Sequence, residues 1–214
     1  MAWKHAKVIA IPKPNKDHSD PINYRPNSLL SNLSKIFEKI LLKRLLLHIS
    51  ENNIIPETQF GFRNEHSTTH QLHRLVNTVK NNREIRKSTG LVLLDNEKAF
   101  DTVWHNGLVS KLINLDFPIY LVKLIHSYLS DRDFVVSIGS EFSQLHVIPA
   151  VVPQGSVLSP VLYNIYTHDI PVISRCILYQ FADDVAITTV RFKIITPWAK
   201  LMVYPLEKCR RVFD

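Results

Sequence analysis

Glycine and cysteine are scarce in this chain, with five glycines and two cysteines among 214 residues. So few glycines argue against a loop-rich or low-complexity fold. Cys176 and Cys209 stand alone, without the spacing of a disulfide framework or a zinc site, and isolated thiols of that kind suit a reducing, intracellular compartment. No apolar run approaches the roughly 20 residues that cross a bilayer, and Met1-Ala2-Trp3-Lys4-His5 lacks the apolar core of a secretory leader, so no membrane association is expected. Acidic residues are outnumbered, 19 Asp+Glu against 26 Lys+Arg, and the resulting charge of +7 suits a polyanionic partner such as nucleic acid. The 45% hydrophobic share is ordinary for a globular chain of this length, which predicts one core rather than disorder.

Lys7 to Ile11 reads as a short strand, followed by a polar turn carrying Lys13 and Lys16. Asn23-Tyr24-Arg25-Pro26 is extended, because a residue before proline is pushed away from helix. Ser31 then caps a helix to about Ile49, with Leu33, Ile36, Phe37, Ile40, Leu41, Leu45 and Ile49 on the buried face and Lys35, Lys39 and Lys43 outside. After Pro56 and the compact loop Gln59-Phe60-Gly61-Phe62-Arg63, a second helix starts near Ser67 to Thr68, where Thr68 and Gln71 have capping-box spacing, and continues through Leu72, Leu75, Val76 and Val79. His66, His70 and His73 share one face of it; without an accompanying carboxylate or thiol they read as a polar, RNA-facing stripe rather than a zinc site.

Leu91 to Leu94 reads as a strand buried on both faces and ending at Asp95. Helical pieces follow around Leu108 to Leu115 and, after Pro118, from Leu121 to Leu129. Phe134 to Ile138 and Leu145 to Val152 form a hairpin about Gly139-Ser140, closed by Pro153-Gln154-Gly155, and an apolar helix carries Leu158, Val161, Leu162 and Ile165. Then comes Tyr179-Gln180-Phe181-Ala182-Asp183-Asp184-Val185, two adjacent carboxylates at the tip of a hairpin of β-prone residues. Adjacent negative charges repel, and a divalent cation held by oxygen ligands would relieve them. Taken singly, each signal has an ordinary explanation. An Asp-Asp pair suits a solvated turn, Asp95 a helix cap and Gln154 a satisfied loop amide.

Asp95 with Phe100 five residues on, a Pro-Gln-Gly loop before a helix, and a Phe-Ala-Asp-Asp hairpin occur here in fixed order. In that combination the chain resembles reverse transcriptases, most closely those of non-long-terminal-repeat retrotransposons of the jockey type. Ile11-Pro12-Lys13-Pro14, Asn23-Tyr24-Arg25-Pro26 with Ser28-Leu29-Leu30-Ser31, Gln59 to Arg63 with His66-Ser67-Thr68, and Lys98 to His105 also resemble blocks of that group, so the likeness runs from Trp3 to Thr189.

The resemblance implies an α+β right-hand polymerase, with fingers from residues 1–90 and an antiparallel palm sheet packed on helices in residues 91–190. It implies an RNA-directed DNA polymerase that uses an RNA template, a DNA primer and deoxynucleoside triphosphates. Asp95, Asp183 and Asp184 are then the catalytic carboxylates for two Mg2+ ions, with Mn2+ as a substitute. Lys13 or Lys16 and Arg25 hold the triphosphate, Phe100 lies under the sugar and excludes a 2′-hydroxyl, Gln154 and Gly155 let the chain approach the nucleotide, and Arg63 touches the template. Asp101 has a local structural role, and target-primed synthesis places such a protein in the nucleus.

The chain departs from the group at Asn27 and Asn96, and more so at its ends. It starts at the first fingers strand, and the primer grip and thumb are not recognisable in residues 191–214, which carry no clear period. The expectation is a truncated or frame-disrupted copy: either an active fingers and palm, or a catalytically inactive remnant that at most binds nucleic acid.

Overall fold

The computed structural model describes residues 4–12, 14–15, 17–29, 31–94, 96, 99–100, 102–147 and 155–191, apart from the side chains of Ile22, Arg25, Pro26 and Arg191. In chain order the elements are β1 (His5–Pro12), a 3-10 turn (Pro21–Asn23), β2 (Tyr24–Leu29), α1 (Asn32–Glu51), α2 (Thr68–Glu84), β3 (Ser88–Leu94), α3 (His105–Asn114), α4 (Ile119–Leu129), β4 (Asp133–Ile138), β5 (Glu141–Phe142), β6 (His146–Val147), α5 (Ser159–Tyr166), β7 (Cys176–Phe181) and β8 (Asp184–Arg191). They fall into two compact units interleaved in sequence, Met1–Ile54 with Lys98–Tyr166 and Ile55–Glu97 with Thr167–Asp214. Each draws on both sides of residue 90.

The first unit holds a mixed sheet of order β2-β1-β4-β5, with β6 also paired to β4. β1 runs antiparallel to β2, with Ile11 opposite Arg25, and parallel to β4, with Val8 opposite Val136. Gly139, at φ 60°, turns β4 into β5, so the return strand begins earlier than the expected Leu145; β6 realises part of the expected stretch, and residues 148–154 lie outside the described ones. Beside the sheet, Leu41, Leu45 and Ile49 of α1, Leu108 and Leu112 of α3, Leu121, Ile125 and Leu129 of α4, and Leu162 and Ile165 of α5 form the apolar core. Pro118 stands at the N-cap of α4, where its missing N–H is harmless.

The face that α1 buries differs from the one its apolar spacing predicts. Ser34 and Glu38 are buried in line with Leu41, Leu45 and Ile49, while Leu33 is 74% exposed and Ile36 and Ile40 also face outward. Ser31 occupies the N-cap but makes no side-chain capping bond. The reason for the rotation is a saturated carboxylate. Glu38 Oε1 accepts from Ser34 Oγ at 3.2 Å and Tyr128 Oη at 2.9 Å, and Oε2 accepts from Ser156 Oγ at 3.0 Å and the Val157 N–H at 2.7 Å. Burial, helped by the Glu38 charge, pushes the Tyr128 hydroxyl far above its ordinary pKa and keeps it a donor. Arg132, equally buried, lays its guanidinium 4.8 Å over the Tyr128 ring and donates to the Tyr128 carbonyl. Four donors meet the carboxylate's demand, so burying the charge is tolerable.

The second unit is a three-stranded antiparallel sheet of order β3-β8-β7 with α2 against it. Ser67, not Thr68, caps α2, accepting from the His70 N–H at 3.2 Å. Gln71 is free of the expected capping box and is the buried residue of the helix; Leu72, Val76 and Val79 are exposed. Beside Gln71, Arg74 lies 5.0 Å over the Tyr179 ring and Thr78 Oγ1 accepts from Tyr179 Oη at 2.8 Å, so a polar stripe faces β7. The continuous apolar run predicts a β3 buried on both faces. It is instead an edge strand among the described residues, with Leu93 73% exposed.

Tyr128→Phe removes one of Glu38's donors without opening a large cavity, and should cost about 1–3 kcal/mol in urea unfolding. Leu33→Ala, despite its apolar type, should stay within about 0.5 kcal/mol of the parent.

Candidate active site

The hairpin expected around the paired aspartates is present. Phe181 of β7 pairs with Asp184 of β8, which leaves Ala182 and Asp183 as a two-residue turn. Ala182 takes φ 57° and Asp183 does not take a positive φ, so the first central residue alone is left-handed, a position that favours glycine. An L-residue held there costs about 1–2 kcal/mol, which the surroundings must offset. Asp183 is half-buried, and no described residue donates to its carboxylate; Asp184 opens β8. β3 runs antiparallel beside β8 with Leu94 opposite Val185. Asp95, the residue that follows, lies outside the described residues.

The turn rests on the loop between Pro56 and Arg63. Gln59, 2% exposed, accepts at Oε1 from the Ala182 N–H at 2.9 Å and the Gly61 N–H at 2.8 Å, and donates from Nε2 to the Ala182 carbonyl at 3.2 Å. The loop itself is fastened to β7. The Phe60 N–H donates to the Gln180 carbonyl at 2.9 Å, and the Gln180 N–H donates to the Thr58 carbonyl at 3.0 Å. Gln71 Nε2 reaches the Thr58 and Gln180 carbonyls at 2.9 and 3.0 Å, and Thr58 Oγ1 donates to Gln180 Oε1 at 2.6 Å. Arg74 Nη1 donates to the Leu178 carbonyl. Beside the turn, a groove of about 510 Å3 between Leu72 and Leu75 on one side and Leu93, Phe181 and Ala186 on the other reaches Asp184.

Of the other residues singled out from sequence, Arg63 folds back on this loop, its Nη1 donating to the Pro56 and Gln59 carbonyls at 3.2 Å. Phe100 is half-buried with its ring 4.9 Å from that of Tyr163. Gly155 sits at φ 100°, and a Cβ there would meet the Ser28 carbonyl oxygen at 2.8 Å, so close approach to β2 by itself demands glycine. Arg25 occupies β2 opposite Ile11. Lys13, Lys16, Asp101 and Gln154 lie outside the described residues. His66 packs edge-on against Phe60 and bonds the Asn64 carbonyl, whereas His70 and His73 are exposed; among the described residues no three His, Cys, Asp or Glu side chains stand together as metal ligands.

Gln59, Gly61 and Arg74 have no role in the sequence reading, and Gln71 only that of a helix cap. The available signal was Gly61, one of only five glycines, two residues after a glutamine in an otherwise apolar loop.

A family profile described as reverse transcriptase (RNA-dependent DNA polymerase) matches residues 11–202. The chain belongs to the reverse transcriptase family. It is 41% identical over 193 residues to a probable RNA-directed DNA polymerase from transposon BS of Drosophila melanogaster, covering 86% of this chain and 21% of that protein. To the RNA-directed DNA polymerase from mobile element jockey of the same species it is 39% identical over 211 residues, covering 95% of this chain and 23% of the relative. The likeness to jockey-type enzymes is thus borne out, and the profile continues past Thr189. The chain spans about a fifth of the length of these relatives. Among solved structures it resembles apo telomerase from Candida tropicalis truncated from the C-terminal domain, with a TM-score of 0.62 at 13% identity over 98% of this chain and 46% of that one. Telomerase from Candida albicans in complex with a TWJ fragment of telomeric RNA gives 0.61 at 12%, over 97% of this chain and 38% of that one. At those identities the shared property is the fold, a mixed α and β one in both.

A Cβ at position 61 would stand 2.1 Å from the Ala182 nitrogen and 2.7 Å from its Cα, and both are backbone atoms that cannot swing aside. Gly61→Ala should therefore destabilise the chain by about 1–3 kcal/mol in denaturant unfolding, as overpacking does.

Proposed function

We propose that this chain carries the fingers and palm portions of an RNA-directed DNA polymerase, joining deoxynucleoside triphosphates to a primer on an RNA template. The observation that carries the reading is the Asp183-Asp184 hairpin tip, with β3 running in register alongside it towards Asp95, in a chain of the reverse transcriptase family. In the reaction the primer 3′ oxygen bonds to the α-phosphorus of the incoming nucleotide, the bond to the bridging oxygen breaks, and pyrophosphate leaves while the hydroxyl proton is lost to solvent or a base.

The donor set fits magnesium. Asp183 and Asp184 offer hard carboxylate oxygens, and the half-buried Asp183 carboxylate has no donor or cation from the described residues to offset its charge. With Asp95 they are the residues that would hold two Mg2+ ions, or Mn2+ in their place. When bound, such ions stabilise the attacking and leaving oxygens. The remaining roles belong to side chains of this chain. Arg25 and Lys13 or Lys16 offer charge-assisted donors to the triphosphate. Phe100, braced by Tyr163, presents an aromatic surface against which a 2′-hydroxyl has no room. Gln154 and Gly155 flank the nucleotide, and Arg63 lies by the template strand. The net charge of +7 supports binding of template and primer through their phosphates, with the salt dependence such contacts bring.

Primer extension on an RNA template with Mg2+ tests the reading. Asp183→Asn should reduce incorporation to background while circular dichroism stays that of the parent, and EDTA should abolish extension by the parent until Mg2+ is restored. Equal extension by the two folded proteins would reduce the chain to a nucleic-acid-binding remnant. Phe100→Val should raise ribonucleotide incorporation relative to deoxynucleotide; an unchanged ratio would assign Phe100 to packing on Tyr163 alone.

A further inference from the structure

We infer that Gln59 is a positioning residue for the carboxylate tip: its side-chain amide locks the Ala182–Asp183 peptide in one of its two turn orientations and so aims Asp183. The inference rests on the proposed role of Asp183, and deepens it.

A two-residue hairpin turn has two related forms that differ by a flip of the peptide joining its central residues. Here that peptide joins Ala182 to Asp183. A flip reverses the Ala182 carbonyl and the Asp183 N–H, and with them the direction in which the Asp183 side chain leaves the backbone. At an exposed hairpin tip water serves either form equally. At this tip Gln59 holds the carbonyl with Nε2 at 3.2 Å and the N–H of the same residue with Oε1 at 2.9 Å. Both contacts are buried, so no water can replace a lost bond without rearrangement. Flipping the peptide would turn the carbonyl away and leave Gln59 Nε2 unpaired inside the protein.

Few side chains can do this. The position needs one acceptor and one donor on adjacent atoms of a planar group. Glutamate lacks the donor, and lysine and arginine lack the acceptor. Asparagine is shorter by one methylene. Gln59 is also held in place itself: Oε1 takes a second bond from the Gly61 N–H, and its backbone carbonyl receives Arg63 Nη1. Its neighbours Thr58 and Phe60 are hydrogen-bonded to Gln180 like an added strand, with Gln59 in a parallel bridge to Gln180. Gly61 lets the loop backbone come close enough for these lengths. An amide fixed at both ends against a strained turn that precedes a carboxylate does more than fill space.

The test compares the whole chain with Gln59→Glu, which keeps the acceptor and loses the donor, and with Gln59→Met, which is close in shape and loses both. Backbone NMR reads the Ala182 carbonyl and Asp183 amide resonances together with exchange of the Ala182 amide, and Mn2+ titration reads the affinity of the tip. Both variants should shift or double the Asp183 resonances. Gln59→Met should also speed Ala182 exchange about tenfold or more, and both should weaken Mn2+ binding about tenfold, as loss of a residue that orients a metal ligand does. Where the chain extends primers, kcat should fall with the dNTP KM near that of the parent. Unchanged Asp183 resonances in folded variants would overturn the inference, as would exchange that rises equally along all of β7 and β8. If Asp183→Asn leaves Mn2+ binding of the parent unaltered, the metal reading of the tip fails. The resonances and exchange still decide the role of Gln59.

Discussion

Two hydrogen bonds between one side-chain amide and the N–H and carbonyl of Ala182 hold the two-residue turn between β7 and β8. A hairpin that turns in two residues and puts an L-residue at positive φ stores strain, and it persists only where its surroundings leave no alternative. The loop bearing Gln59 supplies that constraint, and the rest of the unit is built to supply the loop. Thr58, Phe60 and Gln71 fasten it to Gln180; Arg63 closes it on itself. The tip is therefore a pair of carboxylates on a backbone held by several hydrogen bonds, the preorganisation that the proposed metal site calls for.

The same principle governs the first unit with different chemistry. Glu38 is a buried charge, and it is tolerated because Ser34, Tyr128, Ser156 and the Val157 N–H bring four hydrogen bonds to two oxygens. These partners come from α1, α4 and the segment just before α5, elements far apart in sequence. A carboxylate satisfied only when all of them are in place specifies one packing and disfavours near alternatives, in which it would be buried unpaired.

These two networks explain which parts of the fold were legible in sequence and which were not. β1, the β7–β8 hairpin, and the helices around Leu108, Leu121 and Leu162 were legible because apolar spacing and turn residues report local structure directly. The tip aspartates were legible because two adjacent charges between β-prone runs are unusual, and because their order with Asp95 and the Pro-Gln-Gly loop carries a family likeness. The inner faces of α1 and α2 were not legible for one reason. Apolar periodicity assumes that what is buried is apolar, whereas α1 turns Ser34 and Glu38 inward and α2 turns Gln71 inward. Leu91 and Leu93 suggested a central strand, but the run of apolar residues says nothing of how many strands lie beside it. The parallel pairing of β1 with β4 joins residues more than a hundred positions apart, and no local signal encodes it.

The polar inner face of α2 follows from where it sits. A helix packed on the middle of a sheet meets side chains, and apolar residues serve it best. α2, which also touches β3, and the Gln59 loop meet β7, the outer strand of its sheet among the described residues, whose outer side carries backbone donors and acceptors. Leucine cannot satisfy those groups, but glutamine and arginine can, and Gln71 bonds the Gln180 carbonyl while Arg74 bonds that of Leu178. Covering a strand edge demands side chains that hydrogen-bond at fixed reach. Once they are present, the same chemistry is at hand to hold the turn at the end of that strand. The placement of Asp183 is in this sense a by-product of closing the edge of β7: the residues that keep the strand from pairing elsewhere are continuous with the one that sets the orientation of its tip.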